Sequence, residues 1–158
     1  MIAIATVLSY VESFIPVFIP GVKLGLANVI ILIMLYEFKS YEAFIVDVLR
    51  IIVVSLIRGT IASPTFLMSL SGGILSFLVM LLFSRIKIFS PIGTSVLGAI
   101  SHSFGQIIVA IIIMGTDAVL YYLPFIALLS IITGILSGVI ANEYLKRSIT
   151  NNYIHVRE

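Results

Sequence analysis

Three long runs, Pro64 to Ser84, Pro91 to Met114 and Ala118 to Leu145, contain between them one Asp, Glu, Lys or Arg, Glu143. At about 1.5 Å of rise per helical residue, each is long enough for the roughly 30 Å of a bilayer's hydrocarbon core. No water is present there to satisfy peptide groups, so such runs must be helices. Three further apolar stretches precede them: Met1 to Ile15, Leu24 to Phe38 and Tyr41 to Arg58, the first two short. Composition agrees, because 61% of the 158 residues are hydrophobic and 10% are charged, whereas soluble domains carry about 25% charged residues. The expected fold is an all-α integral membrane protein with six transmembrane helices, as a single domain over 1–146 with a cytoplasmic tail over 147–158. The first run begins at Met1 with no basic n-region and no A-x-A site, so it reads as a retained helix and not a signal peptide.

Charge narrows the function classes. A net charge of +2, dispersed along the chain, gives no footprint for nucleic acid. With no cysteine there is no disulfide framework, thiolate metal site or cysteine nucleophile. Placing both termini inside puts Lys39, Arg85, Lys87, Lys146, Arg147 and Arg157 on the cytoplasmic side and only Lys23 and Arg58 outside, so the basic residues favour N-in, C-in. The two outer bases are left without a sorting reason.

The stretch Glu12 to Asn28, E-S-F-I-P-V-F-I-P-G-V-K-L-G-L-A-N, interrupts this apolar chain with two prolines, two glycines, an acid, a base and an amide. Pro16 and Pro20 fix φ and remove donors, while Gly21 and Gly25 permit conformations closed to other residues. The stretch is therefore a shaped connector or a lid. Beside it, Ala5, Ser9 and Ser13 form a small-residue ridge on the first helix, a docking surface for another membrane protein if it faces outward.

Two polar stripes cross the later segments. Asp47, Arg50, Val54 and Arg58 lie along one face of the third. Because a charge in hydrocarbon costs at least ~2.5 kcal/mol, the stripe should face the bundle interior or a wet cavity. Either Asp47 and Arg50 satisfy one another while Arg58 snorkels to the headgroups, or Arg50 or Arg58 meets an anion entering from outside. In the fifth segment Ser95, Gly98, His102 and Gln106 share a face, and His102 with Gln106 can select a polar small molecule by hydrogen bonding or simply join two helices. The only other histidine, His155, lies in the tail, so no metal site is expected. The Ser69 to Gly73 run leaves space on the fourth helix, and Ser130, Gly134, Gly138 and Asn142 make a packing ridge on the sixth. No carboxylate pair for magnesium diphosphate, G-x-S-x-G, Walker A or H-E-x-x-H motif is present, so the chain does not read as an enzyme, and no cofactor is expected.

P-G-V-K-L-G-L-A-N at Pro20 to Asn28, after E-S-F-I-P, together with Gly72-Gly73 and S-H-S-F-G-Q at Ser101 to Gln106, resembles the Gx transporter family. That family is also labelled heptaprenyl diphosphate synthase component I, and it is similar to the S components of energy-coupling factor (ECF) vitamin transporters. The resemblance implies an S-component-like six-helix bundle of a prokaryotic cell membrane, with a first loop capping a substrate cavity near the outer leaflet. It also implies a first helix that docks on a transmembrane coupling subunit driven by ATPases. Ala5 and Ser9 match that docking ridge loosely, the usual form being alanine-x-x-x-alanine.

The reading is a substrate-capture subunit taking up a small anionic or amphipathic molecule through Lys23, Asn28, Arg50, Arg58, His102 and Gln106. The alternative is a non-catalytic membrane accessory subunit of polyprenyl diphosphate synthesis, presenting the same bases to a diphosphate. A purely structural assembly subunit is a third possibility.

Overall fold

The computed structural model describes residues 1–14, 25–86 and 88–155, with the backbone alone over 149–155. Among the described residues the chain is helical and has no strand. Its helices are α1 (Ile2–Glu12), α2 (Asn28–Glu37), α3 (Ser40–Ile57), α4 (Pro64–Ser84), α5 (Pro91–Met114) and α6 (Leu123–His155), with a 3-10 turn at Asp117–Tyr122 before the last. Three segments are long and apolar enough to cross a bilayer: Pro64–Ser84, Pro91–Met114 and Asp117–Ser148. The chain is thus a multi-pass membrane protein.

Local chemistry explains the long helices. Ser63 and Ser90 cap α4 and α5, their hydroxyls accepting the Phe66 and Gly93 N–H groups, and each is followed by a proline at the first helical position, where a missing N–H costs nothing. Gly115, at φ +62°, closes α5 in the left-handed conformation that favours glycine. The change from 3-10 turn to α6 falls at Leu123-Pro124, where the proline nitrogen has no hydrogen to continue the ladder. α6 then runs as one helix to His155, past the expected start of the tail at residue 147.

The short helices are organised differently from two ordinary spans. α2 is apolar all round, with Asn28 through Leu35 buried without a break, as expected of a helix enclosed on every side. It packs against α1, α3, α4, α5 and α6. Ten residues amount to about 15 Å, half a bilayer core. α1, with 11 residues, is similar in length and packs chiefly on α3. Around this centre α5 lies between α4 and α6. On α6, Gly134 and Gly138 meet the α5 backbone at Val96 and Ile92, which confirms its small-residue ridge as a packing seam. The outward faces carry Leu78, Leu82, Ile112, Leu128 and Leu136, all exposed, a surface suited to lipid.

Candidate functional site

Alternating chain direction puts the end of α1 and the start of α2 inside the bundle, at the level of the middle of α3, α4 and α5. Arg50 shows this directly. It sits about 10 Å along the helix from the last residue of α3, Ile57, is 3% exposed, and donates to groups on three helices. Its guanidinium contacts Asp47 Oδ1 at 2.6 Å (Nη2) and 2.9 Å (Nε), Asn28 Oδ1 at 2.9 Å and Ser9 Oγ at 3.3 Å. Asn28, the first residue of α2, in turn donates to Ser76 Oγ on α4 at 2.8 Å. One cation therefore ties together α1, α2 and α3, and the amide extends the network to α4.

The ends of the connector meet the same centre. The Gly25 N–H donates to Glu12 Oε1, joining the end of α1 to the approach to α2. Gly25 has φ +83°, and a Cβ there would lie 3.0 Å from Asn28 Nδ2 and 3.7 Å from His102 Cδ2, so glycine is required both by conformation and by space. On α5, His102 and Gln106 are buried one turn apart, with Gln106 Nε2 and His102 Nε2 at 3.1 Å. Between this pair and the Arg50 network runs the side-chain-free stretch of α4. A Cβ on Gly72 would strike His102 O at 2.8 Å, and one on Gly73 would lie 3.3 Å from Asp47 Oδ2 and 2.6 Å from Ile51 Cδ1. The two glycines let α3 and α5 bring their polar groups against α4 from either side.

The structure thus gathers Asn28, Arg50, His102 and Gln106. It does not bring Arg58 to them: Arg58 is exposed at the C-terminus of α3, where the chain leaves the helix toward Gly59 at φ +64°. There a cation complements the helix dipole, a modest effect of about 0.3–1 kcal/mol. Lys23 lies outside the described residues. Ala5 and Ser9 are 0% and 1% exposed, turned inward, with Ser9 receiving an Arg50 hydrogen bond. The Ser9 hydroxyl is drawn to a buried cation, and the outward face of α1 carries Ile4, Val7 and Val11. Arg50 is held by Asp47, as one of the two sequence alternatives had it, and also braces Ser9 and Asn28. Sequence reasoning left Glu12, Ser76 and the paired role of Gly72 and Gly73 out of the site. Glu12 was within reach, since it follows Ser9 by three residues on the face that Arg50 meets.

Asp47 Oδ2 is buried without a hydrogen-bond partner among the described residues. Leaving such an atom unpaired costs about 1–3 kcal/mol or more for a charged group. Among the described residues no three His, Cys, Asp or Glu side chains gather where they could hold a metal.

Fold and site together define a helical multi-pass membrane protein with a desolvated polar centre where the end of α1 meets the start of α2. The chain belongs to the heptaprenyl diphosphate synthase component I family, whose model matches residues 1–144. No curated protein and no solved structure matches it significantly.

Proposed function

We propose that the protein is a substrate-capture membrane subunit of an ECF-type transporter, taking a small polar or amphipathic molecule from the outer side. The observation that carries this reading is that the end of α1 and the start of α2 lie buried among polar side chains from five helices. Helices interrupted at mid-depth are how membrane transporters expose backbone groups and helix ends to a substrate without exposing them to lipid. Buried polar and ionisable residues in a lipid-facing bundle are expensive and mark functional paths.

In this reading His102, Gln106 and Asn28 select the substrate by hydrogen bonding. Arg50, held by Asp47, Asn28 and Ser9, positions Asn28 and the end of α1. Lys23 supplies charge from the connector, and Arg58 stands apart. A coupling subunit with ATPases would engage lipid-facing helix surfaces such as that of α1. The test is mass spectrometry of the small molecules carried by the full chain released from its own membranes. Wild type is expected to carry a defined molecule, Gln106→Leu to lose it at least about tenfold, as expected when a buried polar contact worth ~1.4 kcal/mol or more is removed, and Arg58→Ala to keep it. Equal retention by wild type and Gln106→Leu would contradict the assignment.

The family description favours a second reading, a non-catalytic membrane component of heptaprenyl diphosphate synthesis. The absence of a magnesium-diphosphate carboxylate motif from the sequence supports an accessory role and not the prenyl transfer itself.

A further inference from the structure

At the opposite end of the bundle from the α1–α2 junction lies a cavity of about 590 Å³, open to the surface where α2 ends, α5 begins and the C-terminal half of α6 passes. Its volume falls within the range of small-molecule sites. Tyr36 and Glu37 contribute from the end of α2, Phe38 from just after it, Pro91 from α5, and Asn142 and Lys146 from α6. This is the basic end, where Lys39 precedes α3 and Arg85 follows α4, the latter donating to Ser40 Oγ at 2.8 Å.

The cavity combines an acid, a base, an amide and aromatic surface at the ends of the helices. We propose that it is a site for one zwitterionic aminophospholipid, with the ethanolamine ammonium on Glu37 and the phosphate on Lys146 and Asn142. The signs of the side chains exclude the other amphiphiles that the bilayer or the family description suggests. Lys146 pairs with Glu143, at 3.2 Å, which lies outside the lining, so the cavity itself presents one carboxylate, Glu37, and one ammonium whose charge is already shared. A prenyl diphosphate would bring two or three negative charges beside Glu37 and against the one lysine that lines the cavity, a poorer match in sign than a zwitterion. An ethanolamine phospholipid instead supplies a cation with N–H donors for Glu37 and one phosphate charge for Lys146. The exposed Phe38 and half-exposed Tyr36 offer the apolar, interfacial surface on which the glycerol and the first chain carbons rest.

The test titrates the delipidated full chain in detergent with phosphatidylethanolamine, phosphatidylcholine and phosphatidylglycerol of identical acyl chains, and with farnesyl diphosphate, counting bound molecules by native mass spectrometry. The first phosphatidylethanolamine should bind about fivefold tighter than phosphatidylcholine, which lacks N–H donors, the scale of one charge-assisted hydrogen bond partly exposed to water. Glu37→Gln should bring phosphatidylethanolamine down to the level of phosphatidylcholine and leave the latter unchanged, and Lys146→Gln should weaken both together. Both positions are exposed, so unchanged thermal unfolding of the variants confirms that the fold is intact. Equal binding of the two phospholipids by wild type, no response to Glu37→Gln, or tightest binding of phosphatidylglycerol or farnesyl diphosphate would overturn the proposal.

Discussion

Arg50 is the residue on which the junction depends, since its guanidinium is the common partner of Asp47, Asn28 and Ser9. Replacing it by methionine keeps much of its volume but leaves Asp47 buried without its counter-ion, an uncompensated charge that costs about 3–5 kcal/mol. The double variant Asp47→Leu with Arg50→Met removes both charges and should recover most of that loss, because a buried ion pair is often matched by well-packed apolar groups. Denaturant unfolding in micelles measures both; a single variant as stable as wild type would mean that water reaches the pair. Retention of the carried molecule should stay lost in the double variant, separating support of the site from support of the fold. The inward face of Asp47, Arg50 and Val54 was legible from helical spacing, since a charge stripe in an apolar helix has nowhere else to go. For Arg58 spacing left two alternatives open, and the end of α3 at Ile57 favours the one in which it reaches outward.

At the scale of elements, α4 and α5 cross through glycine. A methyl group on Gly72 would meet the His102 carbonyl at 2.8 Å, and one on Gly105 would meet the Ser71 carbonyl at 2.8 Å. Backbone cannot yield as a side-chain end can, so Gly72→Ala and Gly105→Ala should each cost about 1–3 kcal/mol by forcing the helices apart. Gly59 gives the contrast. No atom lies within 4 Å of its would-be Cβ, but φ is +64°, so Gly59→Ala should cost about 1 kcal/mol through backbone strain and Gly59→Asn less, because asparagine tolerates that conformation. Thermal unfolding of the variants distinguishes clash from strain. The starts of α4 and α5 were legible because Ser-Pro is a strong local start signal, and local signals suffice where a helix begins in the interface. The short helices were harder: an apolar run such as Asn28 to Leu35 looks the same whether it faces lipid or is enclosed by five neighbours, and only the packing decides. The direction of the Ala5–Ser9 ridge was hidden for the same reason, since small residues suit an inner seam as well as a docking face.

For the whole molecule, the chain's lack of cysteine makes orientation measurable with single introduced thiols. Lys39→Cys and Arg147→Cys lie at one end of the bundle, Arg58→Cys and Asp117→Cys at the other, and all four exposed positions lie away from the polar centre. In intact cells a membrane-impermeant maleimide should label the second pair and spare the first, following the bias of basic residues; the reverse pattern would invert the direction assigned to substrate capture. The membrane class and the helical fold followed from composition and run length alone. The substrate did not, because the polar groups that were visible in the chain turn out to spend their strongest bonds on one another. The most direct test of the capture role is native mass spectrometry of the intact assembly released from its own membranes, reading its protein partners. A membrane coupling subunit with a pair of ATPases is the predicted result, whereas a prenyl diphosphate synthase subunit with no ATPase would contradict the account and make this chain the membrane arm of an enzyme.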